Sequence, residues 1–173
     1  HVEALGYHRY WLAEHHNTGA LASPAPEILI EHVASATSRI RVGSGGVMLP
    51  NYSPLKVAEW FRVLSAIHPG RIDLGIGRAP GTDQRTALAL RGSPQALLAD
   101  EFPANVQALL AYLDDREDGA TPTRVRAMPA GVAAPPVWML GSSTFGARLA
   151  ATLGLGFGFA YHINPEHVAA AFE

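Results

Sequence analysis

The stretch Pro69-Gly70-Arg71-Ile72-Asp73-Leu74-Gly75-Ile76-Gly77-Arg78 decides the fold class. Pro69-Gly70 is a turn signal, and Ile72 to Ile76 reads as a short strand. The residues before the turn, Pro54 to Ala66, carry Val57, Trp60, Phe61 and Leu64 at helical spacing, and Pro54 suits a first helical turn. Helix, turn and strand in this order form the unit of an α/β fold with parallel strands.

The same alternation continues on both sides. Upstream, Ile40 to Leu49 reads as one strand containing Gly43, Gly45 and Gly46. Interior glycines weaken a strand, so this cluster implies a bulge or the close approach of a ligand. A helix from Pro26 to Thr37 precedes it, with Ile28, Leu29, Val33 and Ala36 at helical spacing, and Tyr7 to Ala13 reads as an earlier strand. Val2 to Leu5 reads as a helix end stopped by Gly6. Downstream, Gly77 to Ala134 is irregular, with one helix expected at Pro103 to Asp114. So long an interval between strands suggests an insertion or a functional loop. Val137 to Leu140 is a strand, Phe145 to Leu153 a helix, Gly156 to Tyr161 a strand, and a last helix begins at Pro165. Five strands result, without a 20–50-residue repeat. They suit either a small doubly wound sheet or five strands of an eight-stranded barrel.

Composition narrows the function. With 173 residues, 48% hydrophobic and 16% charged, the chain can bury a sizeable core and is not of a disordered type. The net charge is −2, and the twelve arginines and single Lys56 form no basic stripe, which disfavours nucleic acid or a membrane surface as partner. No cysteine is present, so disulfides, thiolate metal sites and a cysteine nucleophile are excluded, and a cytoplasmic location is expected. The most apolar run, Leu149 to Tyr161, is broken by Gly154, Gly156 and Gly158 and falls short of the roughly 20 residues of a membrane span. The chain begins at His1 in what reads as the end of a helix, so residues are expected to precede it.

Three places follow strand ends, where active sites of parallel α/β folds gather. At Glu14-His15-His16, one imidazole tuned by Glu14 suits proton transfer, while an ordinary hydrogen-bonded loop pair fits equally. Adjacent histidines at a strand end point to opposite sides, so at most one joins a site with Glu14, and a metal centre is the weaker reading. Arg78, beside Gly77 and Ala79-Pro80-Gly81, suits bidentate phosphate binding or a structural salt bridge. No P-loop Gly-Lys-Ser/Thr follows it. Ser142-Ser143-Thr144, at a strand-to-helix junction, suits an anion site on the helix dipole or simple N-capping. A serine nucleophile lacks its Gly-x-Ser-x-Gly frame.

The ordered set of segments resembles the bacterial luciferase-type flavin monooxygenases. Tyr10-Trp11-Leu12-Ala13-Glu14-His15-His16-Asn17 resembles their early strand and loop, and Arg41 to Pro50 the next strand. Pro54 then opens a helix as in that family, and Pro69 to Arg78 is similar to its Gly-Arg strand segment. Pro136 to Ser143 resembles its phosphate-binding strand end. The match spans the chain except about Gln84 to Ala134.

The resemblance implies a TIM (β/α)8 barrel, of which this chain would be a single partial domain holding about the second to sixth strands, with an irregular insertion at residues 79–134. It implies reduced FMN as cofactor, or the deazaflavin F420 in related barrels, a separate flavin reductase, O2 and a small organic substrate, and a homodimer. The reaction implied is oxygenation through a flavin hydroperoxide, with a non-catalytic flavin-binding homologue or an F420-dependent oxidoreductase as alternatives. His15 matches the family's active-site histidine, and Arg78, Ser142 and Ser143 match flavin-phosphate contacts. Gly45-Gly46 matches a non-prolyl cis peptide beneath the flavin ring. Gly146 stands where the family often has a hydroxyl residue, and Gly77 where some luciferases have a cysteine.

Overall fold

The computed structural model of the chain describes residues 1–93, 101–114 and 125–173. Its elements run β1 (Arg9–Leu12), α1 (Pro26–Ser35), β2 (Arg41–Ser44), β3 (Val47–Met48), α2 (Pro54–Ile67), β4 (Ile72–Gly77) and α3 (Gln84–Arg91). They continue with α4 (Phe102–Leu113), β5 (Val137–Gly141), α5 (Thr144–Leu153), β6 (Gly156–Phe159) and α6 (Val168–Phe172). All pairings are parallel, in the order β1-β2-β4-β5-β6, with β3 added against β4.

Period-two alternation divides the sheet into two faces. On β4, Ile72, Leu74 and Ile76 join Val42 of β2 in a core with Ile30 and Ala34 of α1, Val57, Phe61 and Leu64 of α2, and Val106 and Leu109 of α4. Asp73, Gly75 and Gly77 alternate with them toward the opposite face, and every residue of β4 is buried. That inner face is concave. Trp11 of β1 and Trp138 of β5 have ring centroids 5.5 Å apart although β2 and β4 lie between their strands. In a flat sheet those strands would be about 14 Å apart, so the sheet curls into a half-barrel with its helices outside. Small residues permit the curl: a Cβ on Gly156 would stand 2.5 Å from the Trp138 ring.

Several expectations need correction. The strand expected from Ile40 to Leu49 is broken into β2 and β3 at Gly45-Gly46, so the described residues form six strands where five were expected. Gly43 pairs with Asp73 but Val47 with Ile76, so one extra residue is accommodated between them: a bulge at the glycine cluster. The Gly45–Gly46 peptide is cis. Val2 to Leu5 forms hydrogen-bonded turns instead of a helix, because four residues close only one helical bond, Leu5 N–H to His1 O. Among the described residues, the interval after β4 shows two helices where one was expected. The unforeseen α3 has clear end signals, with the Asp83 carboxylate capping Arg85 and Thr86 N–H and Gly92 closing it at φ 76°. At the other end, Pro165 opens a 3₁₀ turn that precedes α6.

Two arginines secure the helical layer from within. Arg62 of α2 is fully buried and donates to the Tyr112 and Leu113 carbonyls at the C-terminus of α4, at 3.1 and 3.2 Å, and to Pro129 and Val132. Arg71 donates to the carbonyls of Ala34, in the last turn of α1, and of Thr37 just beyond it. Each guanidinium thus ties down the C-terminal end of a helix.

Candidate active site at the C-terminal strand ends

The loops after β1, β3 and β4 meet above the concave face. Glu14, directly past β1, is completely buried and accepts three hydrogen bonds. They come from His16 Nε2 at 2.7 Å, Met48 N at 2.9 Å and the Tyr52 hydroxyl at 2.9 Å. Three donors replace the hydrogen bonds a buried carboxyl group gives up with its water. Burial first, and then the charge of Glu14, push the Tyr52 phenol well above its ordinary range, so its proton stays available as a donor. Glu27 of α1 is raised above the usual carboxylate range by burial, with Glu14 adding to the shift. The imidazole that joins Glu14 is therefore that of His16.

His15 sits on the backbone that this cluster steadies. Its N–H donates to Ser23 O at 3.0 Å and that of His16 to Gly81 O at 3.2 Å, while the Ser23 hydroxyl holds Ala13 O. The Thr82 hydroxyl donates to His16 O at 3.0 Å, and Asn17 donates to Asp83 and Thr86. The His15 imidazole is half-buried and has no hydrogen-bond partner among the described residues. A fixed main chain carrying an uncommitted ring distinguishes His15 from His16.

The second group lies at the ends of β4 and β5. The Arg78 guanidinium lies over the Phe145 ring, 4.3 Å from its centroid, which brings it to the first turn of α5. Ser143 occupies the N-cap position, extended at φ −146° and ψ 164°, yet its hydroxyl makes no capping bond. Simple N-capping therefore does not explain this serine, and the first-turn N–H groups keep their capacity for another acceptor. Ser142 lies beside it, its carbonyl accepting from Asn164 at 3.3 Å. Gly146 packs against Phe157 and Met139, and a Cβ there would approach Phe157 to 3.3 Å. Among the described residues, no group of three or more His, Asp or Glu side chains is gathered as a metal ion would need.

The sequence-selected residues thus lie in three places: His15 past the end of β1, Gly45–Gly46 between β2 and β3 against Trp11 and Gly75, and Arg78 with Ser142 and Ser143 at the β4 and β5 ends. Tyr52 was missed. It lies in a Pro-rich loop, and no local pattern connects a phenol to a carboxylate 38 positions earlier.

A curled parallel sheet with outer helices, carrying Glu14, His15, Arg78 and the Ser142-Ser143 turn at its C-terminal strand ends, has the architecture of part of a (β/α)8 barrel. The chain belongs to the luciferase-like monooxygenase family, whose profile matches residues 1–173. It is 51% identical to a luciferase-like monooxygenase of Escherichia coli over 165 residues, covering 95% of this chain and 48% of that protein. The N-acetyl-S-alkylcysteine monooxygenase of Bacillus subtilis is 45% identical, with 95% and 49% covered. The crystal structure of apo-MsnO8 matches with a TM-score of 0.86 at 47% identity, covering 95% of this chain and 47% of that one. The fold alone is shared with the oxygenating constituent of 3,6-diketocamphane monooxygenase in complex with FMN (22% identity, TM-score 0.68, 90% of this chain and 48% of that one). The same holds for an F420-dependent secondary alcohol dehydrogenase (18% identity, TM-score 0.67, 86% and 48%). The chain spans about half the length of the curated relatives it matches. Among the described residues, no helix is long and apolar enough to cross a membrane.

Proposed function

We propose that the protein is an FMN-dependent monooxygenase whose reduced cofactor comes from a separate reductase and whose substrate is a small organic molecule. The observation that carries this reading is the meeting of Arg78 with the uncapped first turn of α5. A guanidinium, two serine hydroxyls and helix N–H groups form a donor set suited to a phosphate dianion, which a flavin mononucleotide carries at the end of its ribityl chain. The residues present fit the group. Reduced flavin would supply the electrons with which molecular oxygen is activated.

The chain's own residues do the rest. Arg78, Ser142 and Ser143 would hold the phosphate, and the α5 dipole would add to the attraction. The Gly45–Gly46 segment would offer a flat ring a wall without side chains of its own. Trp11, Trp138 and Leu140 line the concave face and exclude water from the reacting centre. His15, on its steadied loop, would give or take a proton beside the bound flavin. Both the family membership and the shared fold of an FMN-bound relative support the cofactor class.

Equilibrium dialysis of the full-length chain against FMN and against F420 tests the cofactor directly. FMN is expected to bind the more tightly. A charge-assisted contact contributes about 1.5–3 kcal/mol, so Arg78→Ala should weaken FMN binding by about 10- to 100-fold. Equal affinity in the variant would remove the phosphate contact, and tighter F420 binding would redirect the reading to a deazaflavin oxidoreductase.

A further inference from the structure

The Glu14 carboxylate is buried in a way that its own stability does not require. An apolar side chain of similar volume would fill the same space without the cost of desolvating a charge. Its three partners come from three separate segments: His16 from the loop after β1, Met48 N–H from β3, and Tyr52 from the 3₁₀ turn Leu49–Asn51 and its exit. The Tyr52 ring is itself set edge-on against Trp60 of α2, with centroids 5.1 Å apart. One side chain therefore ties the His15 loop to the strand that leaves the Gly45–Gly46 segment, and both to a core helix.

Around His15, four main-chain groups are tied to neighbouring loops, the Thr82 hydroxyl on His16 O among them. Ala13 O receives the Ser23 hydroxyl, His15 N donates to Ser23 O, and His16 N donates to Gly81 O. The His16 ring ends on Glu14, whereas the neighbouring His15 imidazole has no bond among the described residues. Such a frame restricts the ring's position without consuming its donor and acceptor, the arrangement that preorganised catalysis requires. We infer that Glu14 is a positioning residue for His15, fixing the distance between that imidazole and the Gly45–Gly46 wall through His16, Met48 and Tyr52. The inference rests on the role proposed above for His15.

The test uses the full-length chain with chemically reduced FMN, mixed with dissolved oxygen in a stopped-flow absorbance experiment. Because misplacement by about 1 Å can cost roughly 10²-fold in rate, Glu14→Gln should slow the oxygen-dependent step by about 10-fold or more. FMN affinity by dialysis should change less than about threefold, since the phosphate contacts are elsewhere. Glutamine keeps the size and one acceptor but presents an amide donor where a donor already stands, so at least one of the three bonds is lost. Amide exchange at Met48 should quicken in the variant. Should Glu14→Gln fold poorly, Tyr52→Phe removes one donor while keeping the ring on Trp60, and should give a smaller slowing in the same direction.

A double variant separates the two claims. Once His15→Ala has removed the ring being positioned, adding Glu14→Gln should cause little further slowing. Additive losses would overturn the positioning role while leaving His15 intact as the acting group. An unchanged rate in His15→Ala alone would instead remove the proposed role of His15, and this inference with it. Equal slowing together with a loss of FMN affinity would mark Glu14 as merely structural.

Discussion

The two ends of the concave face each contain a fully buried carboxylate, and they are neutralised in different ways. Asp73, toward the N-terminal ends of the strands, accepts from Arg9 Nε at 3.0 Å, Trp11 Nε1 at 3.1 Å, and Arg41 Nε and a terminal guanidinium nitrogen at 2.9 and 2.6 Å. All these side chains project from β1, β2 or β4, and two of them are permanent cations. Glu14, at the C-terminal end, is held by an imidazole, a phenol and a backbone N–H, none a fixed charge and two of them on loops. The first arrangement locks three strands together. The second holds a loop in register while leaving proton chemistry open beside it. In a parallel barrel this division is expected, because one rim carries stability and the other carries function.

The contrast can be broken most directly at Asp73. Asp73→Ala leaves Arg9 and Arg41 without their counter-ion, and removing one member of a buried pair costs about 3–5 kcal/mol. The lower figure is expected here because Arg9 is partly exposed and can reach water. Urea unfolding of the full-length chain measures the loss, and a change under about 1 kcal/mol would erase the distinction between the two ends. The opposite signature is expected for His15→Ala. The oxygen-dependent step should fall by roughly 10²-fold while stability stays within about 0.5 kcal/mol, since the ring makes no bond that folding relies on. A large stability loss with an unchanged rate would move His15 to the structural side of the comparison.

The smallest effect concerns Asp83, which ties the loops of the functional rim. Its carboxyl is lowered to about 2, chiefly by the Thr86 N–H and hydroxyl and then by Asn17. A folded-state value below the ordinary one means that the contribution to stability is present above the normal aspartate range and is lost as the pH falls through about 2. Protection of the Thr86 amide should therefore persist at about pH 3 and fade only in stronger acid, as amide exchange would reveal. Loss of protection already near pH 4 would show that the Asn17–Asp83 tie is not formed in solution.

Much of this was legible in the residues, for physical reasons that can be named. Helix α2 follows from the spacing of Val57, Phe61 and Leu64, all buried where the periodicity put them. Trp60, on the same predicted face, is only partly buried and turns toward Tyr52. The glycine cluster announced a bulge, but not that the strand would resume as β3 in a new register against β4, because register depends on the partner strand. Helix α3 had both of its caps in plain view and was missed for want of an apolar stripe, since Ala87 alone is buried. At the site, strand-end position singled out Glu14-His15-His16, Arg78 and Ser142-Ser143-Thr144, and only the family resemblance chose His15 and Ser143 among them. What position could not supply was pairing. Glu14 finds His16 two residues away, but it also finds Met48 and Tyr52 more than thirty residues on, through contacts that exist only after the sheet has formed.

The chain's three tryptophans lend these contacts an optical use. Trp11 and Trp138 face each other across the concave wall, and Trp60 stands against the tyrosine that grips Glu14. Its entire indole emission therefore originates beside the proposed cofactor wall or beside the anchor of the His15 loop. A yellow chromophore entering that space would overlap this emission and draw it off by energy transfer. The fold thus carries its own fluorescence gauge of occupancy, with no label attached.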